Sequence, residues 1–226
     1  MKEKRTFYSE AAYFIGIVIL ALGTALMTKA DFGVSMIVAP AYLLHLKLSP
    51  YFSFFTFGVA EYVFQAFILI VLAICLHKIK KCFFLSFGTA FIYGIILDAM
   101  MFAVGKLNLY GIVWQIVMYI LGLIICATGV ALLFRTYFPP EAYELFVKEM
   151  SEKHNVSLGK MKTIYDFGSC ILAIIMSLCF FGGFVGVEWG TFVCAIFNGW
   201  LIGFIGRLLE NRFVFKDGFS IRSKLN

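Results

Sequence analysis

The feature that most constrains this chain is the length of its apolar runs. Six blocks, Tyr13–Met27, Phe54–Leu76, Phe83–Val104, Ile112–Phe134, Tyr165–Val185 and Trp189–Ile205, follow one another with little between them. A helix needs about 20 mostly apolar residues to cross the ~30 Å hydrocarbon layer of a bilayer, and these blocks reach or approach that length. Of the 226 residues, 62% are hydrophobic and 14% charged, whereas soluble domains carry about 25% charged residues. No soluble core could hide that much apolar surface. In lipid the backbone must satisfy its own hydrogen bonds, and the blocks lack the ~10-residue alternation of a barrel strand. The expected fold class is therefore all-α: one integral membrane domain spanning residues 1–226, with about six transmembrane helices.

The short polar start, followed by an apolar block with no small-residue cleavage site, reads as a retained first helix. Charge then sets the orientation. Lys2, Lys4 and Arg5 precede the first span, and Lys78, Lys80 and Lys81 lie between the second and third. Arg135, Lys148, Lys153, Lys160 and Lys162 separate the fourth from the fifth, and Arg207, Arg212, Lys216, Arg222 and Lys224 follow the sixth. These are 16 of the 19 basic residues, and only Lys29, Lys47 and Lys106 fall on the other side. The asymmetry predicts that both termini lie in the cytoplasm. It also explains the net charge of +6 without a nucleic-acid partner, since the aromatic residues lie in the apolar blocks rather than beside the lysines.

The sequence repeats itself. Tyr13–Phe32 lies over Tyr119–Phe138 at a constant offset of 106, with eight identities in twenty positions. Gly16 falls on Gly122, Gly23 on Gly129, and Lys29 on Arg135. Gly88-Thr89 recurs as Gly190-Thr191. The repeats run from about 11 to 105 and from about 112 to 210, with a basic tail over 211–226. Three spans per repeat is an odd number, so the halves have inverted topology, as in many carriers and channels. The paired glycines Gly16, Gly23, Gly122 and Gly129 predict close packing of the first and fourth spans.

Each half has an unusual connector after its first span. Ala30–Ser53 contains Asp31, Gly33, Pro40, His45 and Pro50 among apolar residues, which fits a re-entrant or interfacial segment. Glu141–Lys153, after Pro139-Pro140, has the apolar spacing of a helix lying on the surface.

The run Gly23–Ser35 (G-T-A-L-M-T-K-A-D-F-G-V-S), the six-span profile, and Gly88-Thr89 with Gly94 and Asp98 resemble the YczE/YitT-type family of bacterial multi-pass membrane proteins. The resemblance covers most of the chain. It implies a helical fold in the bacterial plasma membrane and no established activity. Val34–Ile37 departs from the pattern, because relatives place a more polar, proline-containing stretch there.

Ionisable residues at membrane depth are costly unless paired or wetted, which makes each a candidate for a pathway. Lys29, Asp31, Glu61 and Asp98 are expected to converge near the outer side, with Gln65 on the same helix face as Glu61. Arg135, Asp166 and Asn198 lie toward the inner half. The offsets pair Lys29 with Glu61 and Arg135 with Asp166, as gates of a proton- or ion-coupled path for a small solute or as interface anchors. His45, His77 and His154 are isolated, and no nucleophile, metal or phosphate-loop motif is present, so neither catalysis, a cofactor nor a metal is expected. The six cysteines, Cys75, Cys82, Cys126, Cys170, Cys179 and Cys194, read as small core residues. The bilayer is the one certain partner for such a chain. A carrier is the first reading, and a non-transporting scaffold that docks a cytoplasmic partner is the alternative.

Cysteines introduced at Lys80 and at Lys106 in a cysteine-free background should react with a membrane-impermeant maleimide from opposite sides of the membrane. Reaction from the same side would remove both the span count and the inverted repeat.

Overall fold

The computed structural model describes residues 5–107 and 111–218; Lys2, Lys4, Arg222 and Lys224, counted above, lie outside them. The element order is β1 (Arg5–Tyr8), α1 (Ser9–Ala30), α2 (Ala39–Leu48), α3 (Phe57–Leu76), α4 (Lys81–Gly105), α5 (Ile112–Leu133), α6 (Ala142–His154), α7 (Leu158–Phe181), α8 (Trp189–Arg212) and β2 (Phe213–Lys216). Six helices of 20 to 25 residues are long and apolar enough to cross a bilayer. At 1.5 Å per residue, α2 and α6 extend only about 15 and 20 Å and reach part of the way.

Some helix ends differ from the apolar blocks. The fifth block begins at Tyr165, but α7 begins at Leu158; the sixth ends at Ile205, but α8 continues to Arg212. Hydropathy stops at the first charges, whereas backbone hydrogen bonding continues wherever those charges find partners or reach solvent. The ends themselves have local causes. Thr56 accepts a side-chain bond from Val59 N to start α3, and Asp31, His77 and Gly182 take left-handed conformations that close α1, α3 and α7.

The centre of the molecule is the antiparallel pair α1 and α5, whose apolar windows are 56% and 61% buried, against 22% for α7 and α8. Small residues set this contact. A Cβ on Gly23 would lie 2.5 Å from Cys126 N and 2.8 Å from Gly122 O, and one on Gly129 would lie 2.7 Å from Leu20 N and 2.8 Å from Gly16 O. Gly16 thus meets Gly129 while Gly23 meets Gly122, which is the reciprocal pattern of a two-fold contact. Outside this pair, α3 crosses α4 where Gly58 and Gly94 touch backbone to backbone. The outer faces of α3, α7 and α8 expose Phe67, Ile70, Ile171, Ile175, Ile196 and Trp200, a surface suited to lipid rather than water.

The two short helices enter from opposite ends, each anchored in the other half of the chain. Phe32 O accepts from Gly190 N (2.8 Å), and Val34 O accepts from Thr191 Oγ1 (2.8 Å). In the other half, Pro140 O, the counterpart of Val34 O, accepts from Ser86 Oγ (2.7 Å), and Pro139 O accepts from Thr89 Oγ1 (3.1 Å). Tyr119 packs on Phe32 and Tyr13 on Phe138, again 106 residues apart. Ser86 is the sixth residue of α4, so α6 starts about 8 Å inside the end of that helix. Its other end is tied to the α3–α4 turn by Lys80 Nζ–Glu149 Oε2 (2.5 Å) and Lys153 Nζ–Cys75 O (2.6 Å).

This placement corrects the surface-helix expectation for Glu141–Lys153. Ala142, Tyr143, Glu144, Leu145, Val147 and Glu149 are buried. The apolar spacing was that of an amphipathic helix, but the glutamates on its inner face find partners in α3 and α7 and so can be buried too. Two smaller corrections accompany it. Cys126, Cys170 and Cys194 are buried, whereas Cys179 is exposed on the outer face. The start of the basic tail forms β2, which pairs in parallel with β1 from Arg5↔Phe213 to Tyr8↔Lys216, so the two terminal segments lie side by side.

Replacing Gly23 or Gly129 by Ala should cost about 1–3 kcal/mol, the range for overpacking a close contact. Gly88→Ala, where nothing lies within 4 Å of an added Cβ, should be neutral or stabilising by up to ~1 kcal/mol. Thermal unfolding in detergent separates these outcomes, and equal tolerance at Gly23 and Gly88 would contradict the packing.

Candidate functional site

The first turn of α6 brings charge into the interior. Gln65 Nε2 donates to Glu141 Oε2 at 3.1 Å and reaches Glu61 Oε2 at 3.4 Å. The Tyr143 hydroxyl donates to the same Glu61 oxygen at 2.8 Å, and Ala142 N donates to Gln65 Oε1 at 3.1 Å. On the other side of α6, Lys162 Nζ lies 3.2 Å from Asp166 Oδ1 and 3.6 Å from Glu144 Oε1. Glu141, at the cap of α6, and Tyr143 reach α3, while Glu144 reaches α7. Glu61 is 0%, Glu141 2%, Glu144 3%, Asp166 3% and Lys162 6% exposed. Four carboxyl groups therefore share one ammonium, and full ionisation would leave three uncompensated charges in a dry interior.

The environment of α6, which is not one of the spans, moves its acids accordingly. Burial pushes the Glu141 carboxyl well above its ordinary 4.5, helped by the neighbouring Glu144 and Glu61. Burial also raises Glu144, against the opposing pull of Lys162. Outside the core, the hydrogen bond to Glu149 raises Lys80, and burial with Asp31 nearby raises Glu188.

Two cavities open toward opposite ends of the molecule. One of about 190 Å³ is lined by Thr28, Asp31, Gly33, Val34, Tyr42 and Leu46, together with Phe184, Val185, Gly186 and Glu188. The other, about 710 Å³, is lined by Phe134, Tyr137, Pro139, Pro140, Lys148 and Glu152, with Lys80, Lys81 and Glu149. Each of the first six residues named for the small cavity lies 106 positions before its counterpart in the large one. Ser35, next to Val34 of the small cavity, meets Cys194 (3.5 Å), and Glu141 adjoins Pro140, which lines the large cavity.

Several residues expected to act together are apart. Lys29 and Asp31 are exposed at the end of α1, and Asp31 lines the small cavity beside Glu188. Asp98 instead holds the start of α3, accepting from Thr56 Oγ1 (2.6 Å) and Gly58 N (2.8 Å). The expected gate pairs do not form. Glu61 is bonded to Tyr143 and Gln65 rather than to Lys29, Arg135 pairs with Glu210 (2.9 Å), and Asp166 pairs with Lys162. In each case a nearer partner, unseen in the linear spacing, wins. Gln65 does join Glu61, and Asn198 is buried one turn beyond Cys194, with an Oδ1 that has no hydrogen-bond partner among the described residues. Glu141, Tyr143, Glu144 and Lys162 were missed as site residues. The available signal was Glu141 directly after Pro139-Pro140, a helix start with an acid on it.

The fold and the site define a multi-pass helical membrane protein with two short helices reaching inward from opposite ends. The chain belongs to a family of unknown function, DUF6198, whose model matches residues 7–207. It is 28% identical over 209 residues to the uncharacterized protein YyaS of Bacillus subtilis (strain 168), across 91% of this chain and 96% of that protein. No solved structure matches it.

Lys162→Met should destabilise the fold by about 3–5 kcal/mol, because it strands the carboxylates of Glu144 and Asp166. Adding Asp166→Asn should recover part of that loss. A melting temperature for the double variant no higher than for Lys162→Met would show that the ion pair is not the stabilising element.

Proposed function

We propose that this protein is a secondary carrier of the bacterial plasma membrane, moving a small solute by alternating access, with its basic end and both termini in the cytoplasm. The observation that carries this reading is the pair of cavities at opposite ends, built from residues 106 apart in the repeat. In an inverted repeat, exchanging the conformations of the halves exchanges the two cavities, so cavities of unequal volume at equivalent positions are what such an exchange would interconvert. On this reading the larger cavity belongs to the cytoplasmic side. The positive-inside asymmetry supports the orientation, and the likeness of Gly23–Ser35 to the YczE/YitT-type family supports the bacterial membrane. A non-transporting scaffold gives no reason for symmetry-related cavities at both ends or for an excess of buried carboxylates between the helices.

Spin labels across each cavity test the exchange. Leu46→Cys with Phe184→Cys, and Glu152→Cys with native Cys82, in chains otherwise free of cysteine, should each give two distances by pulsed electron resonance. A change of pH should move the two populations in opposite directions. A single unchanging distance across both cavities would overturn alternating access.

A further inference from the structure

We propose that Glu61 and Glu141 form an exchangeable monovalent-cation site, with protons as its resident occupant, at the buried tip of α6. Both carboxylates reach one Gln65 nitrogen through their Oε2 atoms, at 3.4 and 3.1 Å. Their Oε1 atoms are both buried, and neither has a hydrogen-bond partner among the described residues. Two carboxylate oxygens in this position are left for something the protein does not supply. Among the described residues the cation near Glu141 is Lys162, which is already shared between Glu144 and Asp166.

The other titratable groups packed around the pair do not change this balance. On α6 these are Tyr143, whose hydroxyl already points to Glu61, and Glu144; on α7 they are Lys162, Tyr165 and Asp166. From α4, the Tyr93 hydroxyl is committed to Thr24 (3.0 Å), and from α1, Tyr13 is committed to Thr89 (2.6 Å). Burial and mutual repulsion favour the neutral acids, whereas the Tyr143 and Gln65 donors and the positive end of α6 favour the anions. Opposed forces of this kind make a site that fills and empties rather than one that stays protonated. The Gln65 and Tyr143 donors already occupy the Oε2 atoms, which leaves one oxygen from each carboxylate for a small occupant. Pro140, adjoining Glu141, lines the large cavity and gives the occupant a way out.

This deepens the carrier reading by naming its coupling ion, and it is tested without measuring transport. Dicyclohexylcarbodiimide modifies protonated carboxyl groups in apolar surroundings, and the modified residue can be found by peptide mass spectrometry of the full-length protein in detergent. Label is expected at Glu61 or Glu141 at pH 6 and should fall about tenfold per pH unit once the site titrates, while the exposed Glu152 stays unlabelled. Protection by sodium, potassium or methylammonium at constant ionic strength identifies a competing cation, and a response to pH alone identifies a site for protons only; both support the proposal. As a second measurement, the infrared carbonyl band of a protonated carboxyl should be lost on raising the pH and be diminished in both Glu61→Gln and Glu141→Gln. A band and a labelling pattern that ignore pH would overturn the site. Titration without cavity exchange would keep the site and remove the carrier, whereas cavity exchange without titration would do the reverse.

Discussion

Everything else in the structure depends on the close antiparallel contact of α1 with α5. Lipid is as apolar as leucine, so two helices in a bilayer gain little from burying apolar side chains against each other and associate through tight packing instead. Gly16, Gly23, Gly122 and Gly129 permit that packing by letting backbone approach backbone. Because the contact is reciprocal, it fixes the relation of the two halves. The segments that follow α1 and α5 then have one place to go, across onto the first and third long helices of the opposite half. Thr89 and Thr191 receive them through the neighbouring Pro139 and Val34 carbonyls, and the short helices that follow are aimed inward from opposite ends.

The second constraint is the cost of charge away from water. The structure meets it differently at its margin and in its interior. At the margin, Arg135 takes Glu210 and Lys80 takes Glu149, pairs that solvent helps to stabilise and that contribute little each. In the interior, Lys162 is held by two acids while Glu61 and Glu141 share only neutral donors. A core built for stability alone would have used apolar residues of the same volume. The retained excess of carboxyl groups is what separates this interior from a simple helix bundle.

The repeat is symmetric in shape and asymmetric in chemistry. Where α6 enters with Glu141 and Glu144, the chain entering α2 has Ser35 and Val38. Where the large cavity shows Lys148 and Glu152, the small one shows Tyr42 and Leu46. The glycines and the docking carbonyls, which set geometry, agree between the halves; the ionisable residues, which set chemistry, do not. An architecture that treats both ends alike therefore carries its acidic centre on one of its two short helices.

The sequence by itself determined the six spans, the helical class, the repeat and the glycines at the central crossing. Each of these is a local or periodic property: an apolar length, a charge count per loop, a match at constant offset. It also found Glu61, Gln65, Asp166 and Asn198, because a polar residue inside an apolar block stands out in one dimension. Only the tertiary structure decided which of them meet. Lys29 and Glu61, or Arg135 and Asp166, looked paired because the repeat placed them alike, but partners are chosen by distance in space. In space α6 lies between α3 and α7 and brings Glu141, Tyr143 and Glu144 to both. That segment looked like a surface helix, since a polar stretch costs nothing in solvent and its sequence does not record the partners waiting inside. Burial of Glu141 and Glu144 becomes affordable only once Gln65 and Lys162 are in place, a condition that involves three separate helices and that no single stretch of the chain contains.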